Sequence, residues 1–130
     1  MCVQTWCPKG DGCVPSLAEY EPPVKRWLRD SPAGTKVLVT TNEADDTDFL
    51  DLIDRKGWYR VDHVKLGTAA KLASQFGEKR ALWADAVVDQ AILSMGRDFV
   101  GTEGSQVSWV SELRVSTWRG GRSVLVQRPR

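Results

Sequence analysis

Chemistry in this chain would gather around Asp98-Phe99-Val100-Gly101-Thr102-Glu103-Gly104-Ser105-Gln106-Val107. Phe99-Val100 has the character of a short buried strand, Gly101 to Gly104 of a turn, and Ser105 of a helix N-cap. A helix start behind a glycine turn offers unpaired N–H groups and the positive end of the helix dipole, which suits a phosphate group. The same residues also describe an ordinary strand-to-helix turn of any α/β domain. Upstream, Asp85 and Asp89 lie one helical turn apart, on the edge of a packing face where a carboxylate either meets a ligand or simply meets water. Hydrolysis through a serine nucleophile is disfavoured, because Ser94, Ser105 and Ser108 have only one histidine, His63, to serve as base.

The elements that must position these residues alternate. Residues 1–15 carry Cys, Gly and Pro and read as an irregular loop, followed by one domain over residues 16–130. Ser16 and Glu19 form a capping box for a helix to about Arg29, with Leu17, Tyr20, Val24, Trp27 and Leu28 on its buried face. Pro22 and Pro23 predict a kink, with the firm helix starting there. Lys36–Thr40 is a doubly covered strand, and Thr41-Asn42-Glu43 lies at its carboxyl end. Asp45 to Asp48 opens a helix that stops at Gly57, and Trp58–Val61 is a strand leading to Asp62-His63. From Glu78 the periodicity predicts a helix to Gly96 that buries Trp83, Ala84, Val87, Val88, Ala91, Ile92 and Met95. The strand and glycine turn follow, then a helix from Ser105 that buries Val107 and Val110, with Trp109 and Leu113 as further candidates. Ser123–Val126 is the last strand. Core packing is the expected role for most of the six tryptophans. The pattern predicts α/β: a Rossmann-like, mostly parallel sheet flanked by helices.

Composition bounds the rest. A 42% hydrophobic and 27% charged chain of 130 residues is globular, and its formal charge of +1 supplies no pull toward nucleic acid. No apolar run is long enough to span a membrane, and the first residues do not resemble a signal peptide. Cys7 and Cys13 bracket a short loop that closes as a disulfide in an oxidising compartment or stays reduced elsewhere. Too few Cys and His are close together for a metal site.

Several short motifs carry a family resemblance. Asp89-Gln90-Ala91-Ile92-Leu93-Ser94-Met95-Gly96, then Phe99-Val100-Gly101-Thr102, Ser105 and Ser108, resemble the C-terminal half of protein O-fucosyltransferases. Trp58 to His63, Leu66-Gly67-Thr68 and Trp118-Arg119-Gly120-Gly121 resemble the fungal members in particular. The resemblance covers roughly residues 6 to 126. It implies the second Rossmann-like domain of a GT-B transferase, which holds GDP-fucose, needs no metal or other cofactor, and passes fucose to a protein Ser or Thr. It places Gly101, Thr102, Ser105, Gln106 and Val107 at the diphosphate, and Asp89 at the base or behind the loop, with Thr41 and Glu43 as weaker candidates. It also implies the secretory pathway. Asp45-Asp46 lacks the spacing of the Asp-x-Asp site of GT-A transferases.

The departures are equally specific. The family's His-x-Arg motif, whose arginine would stabilise charge on departing GDP, has no counterpart here, and Gln106-Val107 replaces the usual Ser-Thr/Ser-Phe continuation. The resemblance therefore predicts a nucleotide-sugar-binding domain that is inactive alone, with an N-terminal truncation that removes the first strand and leaves a gap in mid-sheet. A non-catalytic α/β binding module or decayed paralogue is the alternative.

Overall fold

The structure, a computed structural model, describes residues 1–4, 15–41 and 45–127. Five strands, β1 (Cys2–Gln4), β2 (Leu38–Thr40), β3 (Tyr59–Arg60), β4 (Phe99–Thr102) and β5 (Ser123–Val126), form a parallel sheet in the order β3-β2-β1-β4-β5. The helices are α1 (Leu17–Arg29), α2 (Thr47–Arg55), α3 (His63–Leu66), α4 (Thr68–Phe76), α5 (Glu78–Ala81), α6 (Ala84–Ser94) and α7 (Gln106–Arg119). This is the expected Rossmann-like α/β arrangement, in which strand order reverses between β1 and β4.

The expected gap in mid-sheet is not there. Cys2–Gln4, read from sequence as part of a loop, is the central strand, with Val3 in register with Val39 on one side and Val100 on the other. Three residues suffice because neighbours on both sides pair with their backbone, and Val3 is completely buried.

Alternation along the strands divides the interior into two layers. Val3, Val39 and Val100 point to the face covered by α1 and α2, where Leu17, Tyr20, Val24, Trp27 and Ile53 complete the larger core. Cys2 and Phe99 point the other way and meet Leu93 of α6 and Val115 of α7 in a smaller one. Burial pushes the Cys2 thiol pKa up, which keeps it protonated and unreactive.

Two helix expectations need correction. α1 runs through Pro22 and Pro23 without a break, capped by Ser16, whose amide donates to Glu19. Each proline costs about 3 kcal/mol in a helix interior. The continuous helix is what keeps Leu17 and Tyr20 in line with Val24 and Trp27, and such side chains contribute about 1.5–3 kcal/mol each. The single helix expected from Glu78 is instead two, separated at Leu82-Trp83. The break rotates the second piece. Ala84, Asp89, Leu93 and Ser94 are buried, whereas Trp83 (70% exposed), Val87 and Met95 face solvent. Trp109, Leu113 and Trp118 on α7 are exposed as well, so among the tryptophans core packing accounts for Trp27 and partly for Trp58 but not for Trp83, Trp109 or Trp118. Trp6 lies outside the described residues.

Candidate functional site

The β4–α7 turn sits at the carboxyl end of β4, beside the β1/β4 reversal where open α/β sheets bind ligands. Its construction follows from small residues. A Cβ on Gly101 would fall 2.7 Å from the Phe99 ring and from Ser108 Oγ, so only glycine lets α7 approach the strand this closely. That approach brings Ser108 Oγ within 2.8 Å of the Thr102 amide, which donates to it. On the opposite face of the sheet Thr102 Oγ1 shares a 2.7 Å hydrogen bond with the Tyr20 hydroxyl of α1. Burial pushes the Tyr20 pKa up to about 12, so the phenol stays neutral across the physiological range.

Ser105 takes the N-cap position as expected, with extended backbone angles, and its Oγ accepts from the Ser108 amide at 3.3 Å. Gln106 and Val107 are the first helical residues, and their amides have no carbonyl one turn back to receive them. Gly104 supplies the positive φ of 80° that turns the chain into the helix. The sequence candidates therefore divide into two groups. Gly101 and Thr102 are buried and position the turn, while Ser105, Gln106 and Val107 reach solvent and can meet a ligand. Residues 99–107 include no Lys or Arg, and Glu103 is exposed on the same turn.

Asp89 belongs to a different arrangement. It is 1% exposed, and its Oδ1 lies 2.8 Å from His63 Nε2, while His63 Nδ1 lies 3.0 Å from Thr68 Oγ1 and 3.6 Å from Asp85. A carboxylate only accepts, so Nε2 carries a proton toward Asp89, and the other ring nitrogen pairs with the Thr68 hydroxyl. This cluster ties α3 and α4 to α6. It resembles a hydroxyl–histidine–carboxylate relay, but Thr68 is 6% exposed and closed to a substrate. His63 stands one residue past Asp62, which caps α3 after β3, and its place at a strand's carboxyl end was the one signal available in sequence. Its pairing with Asp89, 26 residues on, was not.

A two-pronged cation–carboxylate contact lies elsewhere, just before β4 and β5. Arg122 grips Asp98 with Nε at 2.9 Å and Nη2 at 2.8 Å, and its guanidinium stacks 5.1 Å from the Trp27 ring centre. The Arg122 hydrogen bonds hold the Asp98 carboxyl below its ordinary pKa. This pair closes the end of the sheet opposite the glycine turn. Thr41 is partly buried after β2, while Glu43, Cys7 and Cys13 lie outside the described residues. Among the described residues no three potential metal ligands gather, and no helix is long and apolar enough to cross a membrane.

Comparisons with protein-family models, with curated proteins and with solved structures find no match to this chain. The fold is established by its own topology, and function must be argued from the site.

Proposed function

We propose that the β4–α7 turn binds the diphosphate of a nucleotide sugar, GDP-fucose foremost, and that the chain does not transfer the sugar by itself. The supporting observation is the Ser105-capped start of α7 at the carboxyl edge of the sheet, beside the strand-order reversal. Anionic oxygens would lie against the Gln106 and Val107 amides, while Gly101, Thr102, Ser108 and Tyr20 hold the turn rigid from beneath. The choice of guanine and fucose rests on the resemblance to protein O-fucosyltransferases. The absence of a cation from residues 99–107 accords with binding without transfer, because nothing on that segment would offset charge on a leaving diphosphate.

Thermal unfolding with GDP, and with ADP as control, tests the proposal. Ligand at about one hundred times its Kd stabilises by roughly 2.7 kcal/mol, which raises Tm by several degrees in a chain of this size. A GDP-selective rise supports the reading, and an unchanged Tm at millimolar GDP removes it. Glu103→Gln should tighten binding by lifting a negative charge from the turn. A second reading, a non-catalytic interaction module, is favoured by the exposed apolar residues on α6 and α7.

A further inference from the structure

We propose that the amino edge of the sheet is a docking surface for an anionic lipid bilayer, on which the chain sits peripherally. The strands start level: Cys2 is in register with Leu38 and Phe99, Leu38 with Tyr59, and Phe99 with Ser123. The α1–β2, α2–β3, α6–β4 and α7–β5 connections therefore emerge near one plane, at the end opposite the β4–α7 turn. These connections and the helix ends that feed them carry Arg26, Arg29, Lys36, Arg55, Arg97 and Arg119, all exposed. Arg26, Arg29, Arg55 and Arg119 lie in last helical turns, where a cation also complements the helix dipole. Lys36 and Arg97 belong to no helix, so the dipole does not account for them.

The charge at this edge is not offset locally. Its carboxylates Asp30, Asp54 and Asp98 each lie within 4.0 Å of Arg122 or Arg60. Among the described residues, none of the six exposed cations forms an ion pair. The opposite edge carries Asp45, Asp46, Asp62 and Glu103, so a formal charge of +1 conceals a basic end and an acidic end. Such a separation orients the whole chain, basic end first, against a negative surface. Flatness favours a bilayer over a nucleic-acid strand. A strand is held by a row of cations along a groove, whereas these come from helices on both faces of the sheet and from the level entries of β2 and β4. A plane of cations matches the anionic headgroups of a bilayer, each cation adding to the attraction. Two exposed aromatic rings stand beside the same edge. Tyr59, 51% exposed on the outer strand β3, lies 5.3 Å from Lys36 Nζ, and Trp118, 68% exposed, precedes Arg119 at the end of α7. Tyr and Trp rings beside cations suit the headgroup layer, where an apolar body and a polar tip are both accommodated.

Co-sedimentation of the full chain with vesicles tests this. The chain should pellet with vesicles of phosphatidylserine and phosphatidylcholine, and not with phosphatidylcholine alone. Binding should be lost in 1 M salt, where the screening length falls to about 3 Å. A cation near an anionic membrane contributes about fivefold to partitioning, so Arg97→Gln with Arg119→Gln should weaken it by about twenty-fivefold at unchanged far-ultraviolet circular dichroism. Should that double variant fail to fold, Arg97→Gln alone must still weaken binding by about fivefold. A wild-type chain that ignores anionic vesicles at low salt overturns the proposal, as does equal binding to neutral ones. So does binding indifferent to both variants, or capture by a single-stranded oligonucleotide with none on vesicles. The diphosphate turn lies at the other edge, so a failure here leaves the response to GDP untouched.

Discussion

The two faces of the sheet are built on opposite plans. Among the described residues, nine buried ones under α1 and α2 form one continuous apolar cluster that includes Tyr20 and Trp27. Under α6 and α7 the corresponding cluster of described residues has four, and the helices turn Ser94, Ser108, Ser111 and Asp89 inward. Apart from Leu93 and Val115, several large apolar side chains of this region, Trp83, Val87, Met95, Trp109, Leu113 and Trp118, are exposed. Small inward residues allow α7 to lie close to Gly101 and build the turn at the carboxyl edge, and several large apolar side chains are left exposed. The first face supplies most of the apolar core, and the second supplies the geometry of the turn.

The sharpest way to break this comparison is to truncate one tryptophan from each side. Trp27→Ala should lower unfolding free energy by about 3–5 kcal/mol, whereas Trp83→Ala should leave the single chain within about 0.5 kcal/mol of wild type. Urea unfolding at low concentration measures both, and similar losses would dissolve the distinction. Next in size is Gly101→Ala. Its Cβ would press on Phe99 and Ser108 Oγ, with an expected cost of about 1–3 kcal/mol and weakened exchange protection of the Thr102 amide.

The Asp98–Arg122 pair sharpens the comparison at the opposite end of the sheet. Asp98 has a lowered pKa when folded, so its contribution is complete above the ordinary carboxylate value and fades as pH falls through the folded value. Arg122 is 37% exposed, and solvent screening holds the loss in Asp98→Asn to about 1 kcal/mol at pH 7. Acid unfolding of that variant should begin from a lower plateau and fall less steeply below pH 4. The smallest effect belongs to Tyr20→Phe, about 0.5–1 kcal/mol for the hydrogen bond to Thr102. With the folded pKa of Tyr20 raised to about 12, wild-type stability should decline between its ordinary value near 10 and 12 as the unfolded phenol ionises first. The phenylalanine variant should lack that component.

Much of this was legible along the chain. The strand–helix alternation from Lys36 onward, the helix opening within Asp45 to Asp48, the Ser105 helix start and the glycine turn after Phe99-Val100 follow from local chemistry and occur where expected, whereas the first helix starts firmly at Ser16 and not at Pro22 or Pro23. Periodicity was less reliable for facing. Of the residues expected on one buried face, Ala84 is buried and Val88 and Ile92 are half-buried, but Trp83, Val87, Ala91 and Met95 face solvent. Periodicity states which residues lie near one another, whereas the break at Leu82-Trp83 and the burial of Asp89 against His63 belong to the tertiary arrangement.

The sequence by itself determined the local elements and the α/β class, because caps, turns and strand runs depend on neighbours a few residues away. Only the tertiary structure decided that Cys2–Gln4 fills the centre of the sheet, that His63 meets Asp89, and that Tyr20 reaches Thr102 across 82 residues. A three-residue strand has too little pattern to announce itself, and these pairings exist only once the sheet has brought distant segments within hydrogen-bonding distance.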